Sequence, residues 1–154
     1  MNTRKLTPEQ ALHRLAALCS RGERCSYDLR RKMQTWELSD SEQKQILRRL
    51  QQEGFQDDRR YCRAYVRDKS QYSRWGTMKI SYELRKKQLP DEMIQEALSA
   101  ISTTTQRDQL KQLIAQKRKS VKGQTEYEIN QKLIRFAAGR GYALDDILRE
   151  LHIN

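Results

Sequence analysis

The stretch GFQDDRRYCRAYVRDKSQYSRWGTMKISYELRKK, residues 54–87, carries the strongest structural signal in this chain of 154 residues. It contains ten Lys or Arg and five Tyr or Trp. Apolar residues at Cys62, Tyr65 and Val66 have the spacing of one helix face, and a second helical segment follows the break at Trp75-Gly76. The stretch therefore predicts two helices with apolar inner faces and strongly basic outer faces.

A tripeptide of aromatic, acidic and aliphatic residues occurs three times, at Tyr27-Asp28-Leu29, Tyr82-Glu83-Leu84 and Tyr127-Glu128-Ile129. A helical segment precedes each tripeptide and another follows it, and such internal repetition is typical of repeat architectures. The pattern predicts an all-α protein of three tandem three-helix repeats. We place them at residues 1–56, 57–105 and 106–154.

Helix starts are marked by capping signals. Pairs that form capping boxes are predicted at Thr7 and Gln10, Ser39 and Glu42, and Thr125 and Glu128. The acid pair Asp57-Asp58 precedes a helix, where carboxylates accept hydrogen bonds from unpaired backbone N–H groups. We therefore interpret this pair as a cap rather than as the metal site of a nuclease.

The chain is basic, with a formal net charge of +11 that divides as +4, +3 and +4 among the three predicted repeats. Such an even distribution favours a long polyanionic partner. No apolar run is long enough to span a membrane, and the first residues lack the apolar core of a signal peptide. Three cysteines at unpatterned positions argue against a disulfide framework. We expect a cytoplasmic protein without membrane contact.

Catalytic motifs are absent from the sequence: there is no glycine-rich phosphate loop, no HExxH and no GxSxG. His13, Cys19 and Cys25 lack a fourth ligand at zinc-site spacing. Cys62 lies on a predicted packed face and is interpreted as a core residue. The sequence therefore predicts no catalytic residue, no metal and no cofactor, and hence a protein that is not an enzyme.

Basic side chains form the candidate site for a protein partner or nucleic acid. Individually they are typical of solvated helix surface; as a set they suit phosphate binding without sequence readout. Exposed Tyr72 or Trp75 would add base stacking, although burial of Trp75 in the core is the favoured alternative. The candidates are Arg30, Arg31, Lys32, Arg59, Arg60, Arg63, Arg67, Arg74, Lys79, Arg85, Lys86, Lys87, Lys117, Arg118, Lys119 and Lys122.

Two parts of the chain resemble the RecX family, bacterial regulators of the RecA recombinase. One is GFQDDRRYCRAYVRDK followed by W75-G76-x-x-K79-I80-x-x-E83-L84-R85-x-K87, and the other is RCSYDLRRKM at residues 24–33. The resemblance covers essentially the whole chain and is weakest in the last repeat. Cys25 stands where the family usually has a capping Ser, so the cap is expected to shift to Ser26.

The resemblance implies an elongated, curved monomer that lies in the groove of the RecA–DNA filament. There it would restrain ATP hydrolysis, strand exchange and filament growth, in recombination and DNA repair. It also implies weak, sequence-independent contact with single- and double-stranded DNA. The alternative is a general basic helical nucleic-acid-binding protein. A third class, a nuclease acting through Asp57 and Asp58, would require a divalent metal.

Overall fold

A computed structural model describes residues 5–154, so the first four residues of the first predicted repeat lie outside the described part. Residues 5–154 form helices joined by short connections, without strands, and confirm the all-α prediction. Its helices are α1 (Pro8–Arg21), α2 (Ser26–Gln34), α3 (Asp40–Gln52), α4 (Asp58–Gln71), α5 (Thr77–Lys86), α6 (Asp91–Leu98), α7 (Thr103–Arg118), α8 (Glu126–Gly139) and α9 (Leu144–Glu150).

The helices pack in consecutive threes, which we call unit 1 (α1–α3), unit 2 (α4–α6) and unit 3 (α7–α9). Each unit has its own apolar core, centred on Leu15 in unit 1, Ile80 in unit 2 and Leu133 in unit 3, all fully buried. Helix α7 begins at Thr103, before the predicted repeat start at 106. The residues that bound the three repeats stay a prediction.

Three small cores in series give the molecule a large surface. Its accessible area is 10280 Å², whereas a compact monomer of 18.4 kDa would expose about 8200 Å². The additional exposed area, compared with a compact monomer of this mass, is typical of an elongated molecule. No helix within residues 5–154 combines the length and the apolar character needed to cross a membrane.

The predicted caps are formed. Thr7 with Gln10 and Ser39 with Glu42 make complete capping boxes at the starts of α1 and α3. At α8 only half of the predicted box is present: the Glu128 N–H donates to the Thr125 hydroxyl. The Glu128 carboxylate accepts from the Gln124 N–H instead, one residue earlier than the box requires.

The structural repeat is clearest in the turn between the second and third helices of each unit. One residue there has a positive φ, and the apolar residue after it enters the unit core. The positive-φ residues are Glu37 (57°), Gln88 (58°) and Gly141 (98°). The core residues that follow them are Leu38, Leu89 and Tyr142.

The tripeptides do not follow this structural register. The second helices of units 1 and 2 begin 51 residues apart, as do the third helices, but Tyr27 and Tyr82 are 55 residues apart. Tyr27 and Tyr127 are the second residues of α2 and α8, whereas Tyr82 is the sixth residue of α5. The basic triplets 30–32 and 85–87, which each begin three residues after the tyrosine of their tripeptide, are therefore offset from equivalent positions by one helical turn. The mismatch escapes sequence comparison because a shift of four residues returns to nearly the same helix face.

Candidate partner-binding surface

The predicted arginine stripe of α4 is largely engaged within the molecule, beginning with Arg60. Its guanidinium lies 2.6 Å from the Glu23 carboxylate, in the connection between α1 and α2. It also donates to the backbone carbonyls of Gly54 and Phe55, at 3.0 and 3.2 Å, beyond the end of α3. The hydrogen bond to Glu23 raises the pKa of Arg60. Arg60 thus ties α4 to unit 1.

The neighbouring arginines bind acids of unit 2. Arg63 donates to Glu96 on α6 at 2.8 Å, and Arg59 pairs with the same carboxylate. These contacts lower the pKa of Glu96, chiefly through the hydrogen bond from Arg63. Arg67 lies 3.6 Å from the adjacent Asp68. A charge stripe that looks free in the sequence is therefore partly neutralised by the packing of α4 on α6.

The basic triplet at the end of α5 is also paired. Arg85 lies 3.0 Å from Asp91, and Lys86 lies 3.2 Å from Glu83. Lys87 reaches Asp28 on α2 at 2.8 Å, and that hydrogen bond raises the pKa of Lys87. This last pair is a second charged link between units 1 and 2.

The first turn of α2 is capped by a side chain from unit 2. Cys25 at the N-cap makes no side-chain capping hydrogen bond, and the expected shift of the cap to Ser26 is wrong because Ser26 is a donor here. Its backbone N–H and its hydroxyl donate to the two Asp58 carboxylate oxygens at 2.8 and 2.6 Å. Asp57 caps its own helix, α4, by accepting from the N–H groups of Arg59 and Arg60. The capping interpretation of the acid pair is confirmed, but Asp58 caps a helix of the preceding unit.

The first turn of α5 is capped across the next junction, by backbone. The Gly76 N–H donates to the Arg140 carbonyl at 2.7 Å, and the Met78 N–H donates to the Gly141 carbonyl at 3.1 Å. The Tyr142 hydroxyl donates to the Arg74 carbonyl at 2.9 Å. A Cβ on Gly76 would lie 2.3 Å from the Gly141 carbonyl oxygen, so only glycine permits this approach.

The predicted aromatic candidates differ in exposure. Tyr72 is 82% exposed. Trp75 is half-buried, with its ring centroid 6.5 Å from that of Tyr65 at the edge of the unit 2 core. The favoured interpretation of Trp75 as a buried core residue is therefore only partly right, because part of its indole surface faces solvent.

Two aromatic rings at the junction of units 2 and 3 each hold two cations. The Lys69 and Lys79 ammonium groups lie 4.7 and 4.4 Å from the Trp75 ring centroid. The second ring is Phe136 near the end of α8, with the cationic groups of Lys117 and Arg140 at 4.8 and 4.7 Å. We call Lys69, Arg74, Lys79, Lys117 and Arg140 the junction cation cluster.

Half of the sixteen candidate cations form ion pairs with carboxylates of the described residues, and half do not. Within residues 5–154, half have no carboxylate within ion-pair distance: Arg30, Arg31, Lys32, Arg74, Lys79, Lys117, Lys119 and Lys122. The paired half consists of Arg59, Arg60, Arg63, Arg67, Arg85, Lys86, Lys87 and Arg118. Sequence reasoning missed Lys69 and Arg140. Each follows an aromatic residue by four positions on one helix, and that spacing was the available signal.

The cysteines behave as packing residues. Cys25 and Cys62 are fully buried, and burial raises the pKa of each thiol to about 11. Both therefore stay protonated at neutral pH, and neither has the thiolate character that a nucleophile requires.

Comparison with known proteins identifies the units. The family model of the second three-helix domain of RecX matches residues 57–98. The family model of the third three-helix domain of RecX matches residues 105–151. Two solved structures share the fold. A crystal structure of regulatory protein RecX has a TM-score of 0.85 at 21% identity, covering 94% of this chain and 72% of that one. The structure of RecX from Lactobacillus salivarius has a TM-score of 0.81 at 18% identity, covering 94% of both chains.

Curated relatives carry the same name. The regulatory protein RecX of Actinobacillus pleuropneumoniae serotype 5b is 30% identical over 143 residues, covering 91% of this chain and 89% of the relative. That of Haemophilus ducreyi is 29% identical over 132 residues, covering 86% and 84%. That of Clostridium botulinum strain Eklund 17B is 33% identical over 107 residues, covering 66% of this chain, which spans only 49% of that relative's length.

Fold and matches together define a regulatory protein built of tandem three-helix domains. The chain belongs to the RecX family.

Proposed function

We propose that this protein is a non-enzymatic regulator that binds the groove of the RecA–DNA filament and inhibits its ATP hydrolysis, strand exchange and growth. Family membership supports the regulatory role, since the relatives are named regulatory protein RecX. The RecA filament as partner is the expectation attached to that family. We place the activity in the cytoplasm, with the recombinase.

The observation that carries the proposal is the serial arrangement of three basic units. A filament presents the same surface at regular intervals, and a molecule of three similar units, at 1–56, 57–105 and 106–154, suits such a partner. The net charge of +11 suits an acidic groove with DNA inside it, because phosphate neutralisation releases counterions. Occupation of the groove would exclude an incoming duplex and favour loss of filament subunits.

The test is ATP hydrolysis by RecA on single-stranded DNA, with this protein titrated in at fixed moderate salt. We expect suppression at well below one molecule per RecA subunit, because one bound molecule affects a cooperative filament. The control repeats the titration at several DNA concentrations with RecA held constant. A half-inhibitory concentration that rises in proportion to DNA would mean competition for DNA, and would favour the general nucleic-acid-binding alternative.

A further inference from the structure

The Trp75 ring holds its two lysines in place while the neighbouring acids are occupied elsewhere. Lys69 and Lys79 lie 4.7 and 4.4 Å from its centroid. The nearby acids Asp68 and Glu83 are paired with Arg67 at 3.6 Å and with Lys86 at 3.2 Å. Contact with an aromatic face orients an ammonium group without neutralising it. Both lysines are therefore held at a defined position and have no carboxylate within ion-pair distance among residues 5–154.

A second ring of the same kind lies on α8, the helix whose C-terminal end contacts the turn at Gly76. Lys117 and Arg140 flank Phe136, and the Arg140 carbonyl accepts from the N–H of Gly76, the residue after Trp75, at 2.7 Å. Arg74, one residue before Trp75, has a positive φ of 56°, and its carbonyl is held by the Tyr142 hydroxyl. Two units thus contribute cations to one surface, and backbone hydrogen bonds fix its centre.

The junction cation cluster has no acidic partner of its own within the described part of the chain. No member of the junction cation cluster has a carboxylate within ion-pair distance among residues 5–154, in contrast to the paired arginines of α4. Side chains already held by rings lose less conformational freedom on binding than free lysines do. The cluster is therefore a candidate site for an anionic ligand.

An exposed ring in the connection between α4 and α5 distinguishes the ligand. The two ammonium groups on Trp75 lie within about 9 Å of each other. Tyr72, three residues before Trp75, is 82% exposed and offers a free ring face for an unpaired base. An acidic protein surface would neutralise the cations but would make no use of that ring.

We propose that the junction cation cluster, together with Tyr72, is a binding site for a single strand of nucleic acid. The inference deepens the proposed function and rests on it for the biological setting. It assigns direct DNA contact to the junction of units 2 and 3 rather than to the α4 stripe.

The test uses the full chain and a fluorescently labelled oligothymidylate of about 20 nucleotides, with binding followed by anisotropy between about 50 and 200 mM salt. The variant Lys69→Gln/Lys79→Gln removes two cluster charges. Its matched control, Lys44→Gln/Arg48→Gln, removes two exposed charges from α3, for which no ion pair is present in residues 5–154. Circular dichroism and melting confirm that both variants fold.

We expect the cluster variant to bind about tenfold more weakly than the control, and the magnitude of its log–log salt slope to fall by about 1.4, the value for two phosphate contacts on a single strand. Equal losses in both variants would mean that only net charge matters and would overturn the proposal. Unchanged DNA binding with weaker binding to DNA-free RecA would also overturn it, because the ligand would then be an acidic protein surface.

The ring is tested separately. Tyr72→Ala should weaken oligonucleotide binding about fivefold or more through lost stacking. The matched control is Tyr127→Ala, which removes a ring that is 72% exposed on α8. Equal effects of the two variants would remove Tyr72 from the site. Suppression of RecA ATP hydrolysis by the wild-type chain is measured independently of oligonucleotide binding by the variants. A negative result for the binding site therefore leaves the proposed function intact, and a negative result for suppression leaves the binding site intact.

Discussion

At the junction of units 1 and 2, the side chain of Asp58 caps the first turn of α2. At the junction of units 2 and 3, the backbone carbonyl of Gly141 caps the first turn of α5. In both cases the middle helix of one unit has no side-chain cap from its own unit, and a group of the next unit accepts the hydrogen bond instead. Helix α8 has no following unit packed on it within residues 5–154, and its own Thr125 caps it.

The difference between the junctions is one of chemistry. The first is charged: Arg60 pairs with Glu23 and Lys87 with Asp28 around the Asp58 cap. The second depends on close backbone approach at Gly76. A charged junction responds to salt and pH, whereas a junction of glycine contacts responds to any added side-chain atom. The two junctions are therefore expected to fail under different perturbations.

The largest effect is expected from Gly76→Ala. The new Cβ would lie 2.3 Å from the Gly141 carbonyl oxygen and 2.7 Å from the Tyr142 nitrogen. Backbone atoms cannot move aside as a side chain can, so we expect a loss of about 3 kcal/mol or more in the free energy of unfolding. Urea denaturation measures it.

The matched control is Gly139→Ala, because no atom lies within 4 Å of its Cβ position at the end of α8. Alanine there should be neutral or stabilising by up to about 1 kcal/mol. If Gly76→Ala proved as mild as the control, units 2 and 3 would not be in the close contact described.

The second largest effect is expected from Asp58→Ala, a loss of about 2 kcal/mol in the free energy of unfolding. The substitution leaves the Ser26 N–H and hydroxyl without acceptors at a partly buried position. The same urea experiment applies. Asp108→Ala is the control: this acid is exposed on α7 and makes no side-chain hydrogen bond among those of the described residues. A similar loss in both variants would contradict the capping role of Asp58.

A smaller effect is expected from the charged links. A double-mutant cycle of Arg60→Gln and Glu23→Gln should give a coupling of up to about 1 kcal/mol, because the side chains are 45% and 25% exposed and solvent screens the pair. The coupling should shrink between about 0.1 and 1 M salt, as the Debye length falls. A coupling near zero, with a large loss for Arg60→Gln alone, would mean that Arg60 acts mainly through the Gly54 and Phe55 carbonyls.

The smallest effect concerns pH and the exposed pair of Arg63 with Glu96. Because the pKa of Glu96 is lowered in the folded state, its contribution to stability is present above the ordinary value of 4.5 and is lost as pH falls through the folded-state pKa. The difference in Tm between wild type and Arg63→Gln should therefore be largest near neutral pH and vanish in acid. A difference that grows on acidification would contradict this sign.

Candidate binding residues were only partly accessible to sequence reasoning. Clusters such as 30–32 and 117–122 are visible as runs of like charge. The sequence does not show which of the candidate cations form ion pairs, because the acids that bind Arg60 and Arg63 are 37 and 33 residues away along the chain. For the same reason the sequence could not show that Lys69 and Arg140, in different units, belong to one cluster.

The sequence by itself determined the helices, their apolar faces and their division into threes, because capping pairs and helical periodicity are local properties of the chain. The tertiary structure decided the register of the repeat, the acceptors that cap Ser26 and Met78, and the exposure of Trp75. The caps depend on residues of two units meeting in space, and the exposure of Trp75 depends on how the helices of unit 2 pack. The sequence of a helix without its own capping residue does not indicate which later residue of the chain will cap that helix.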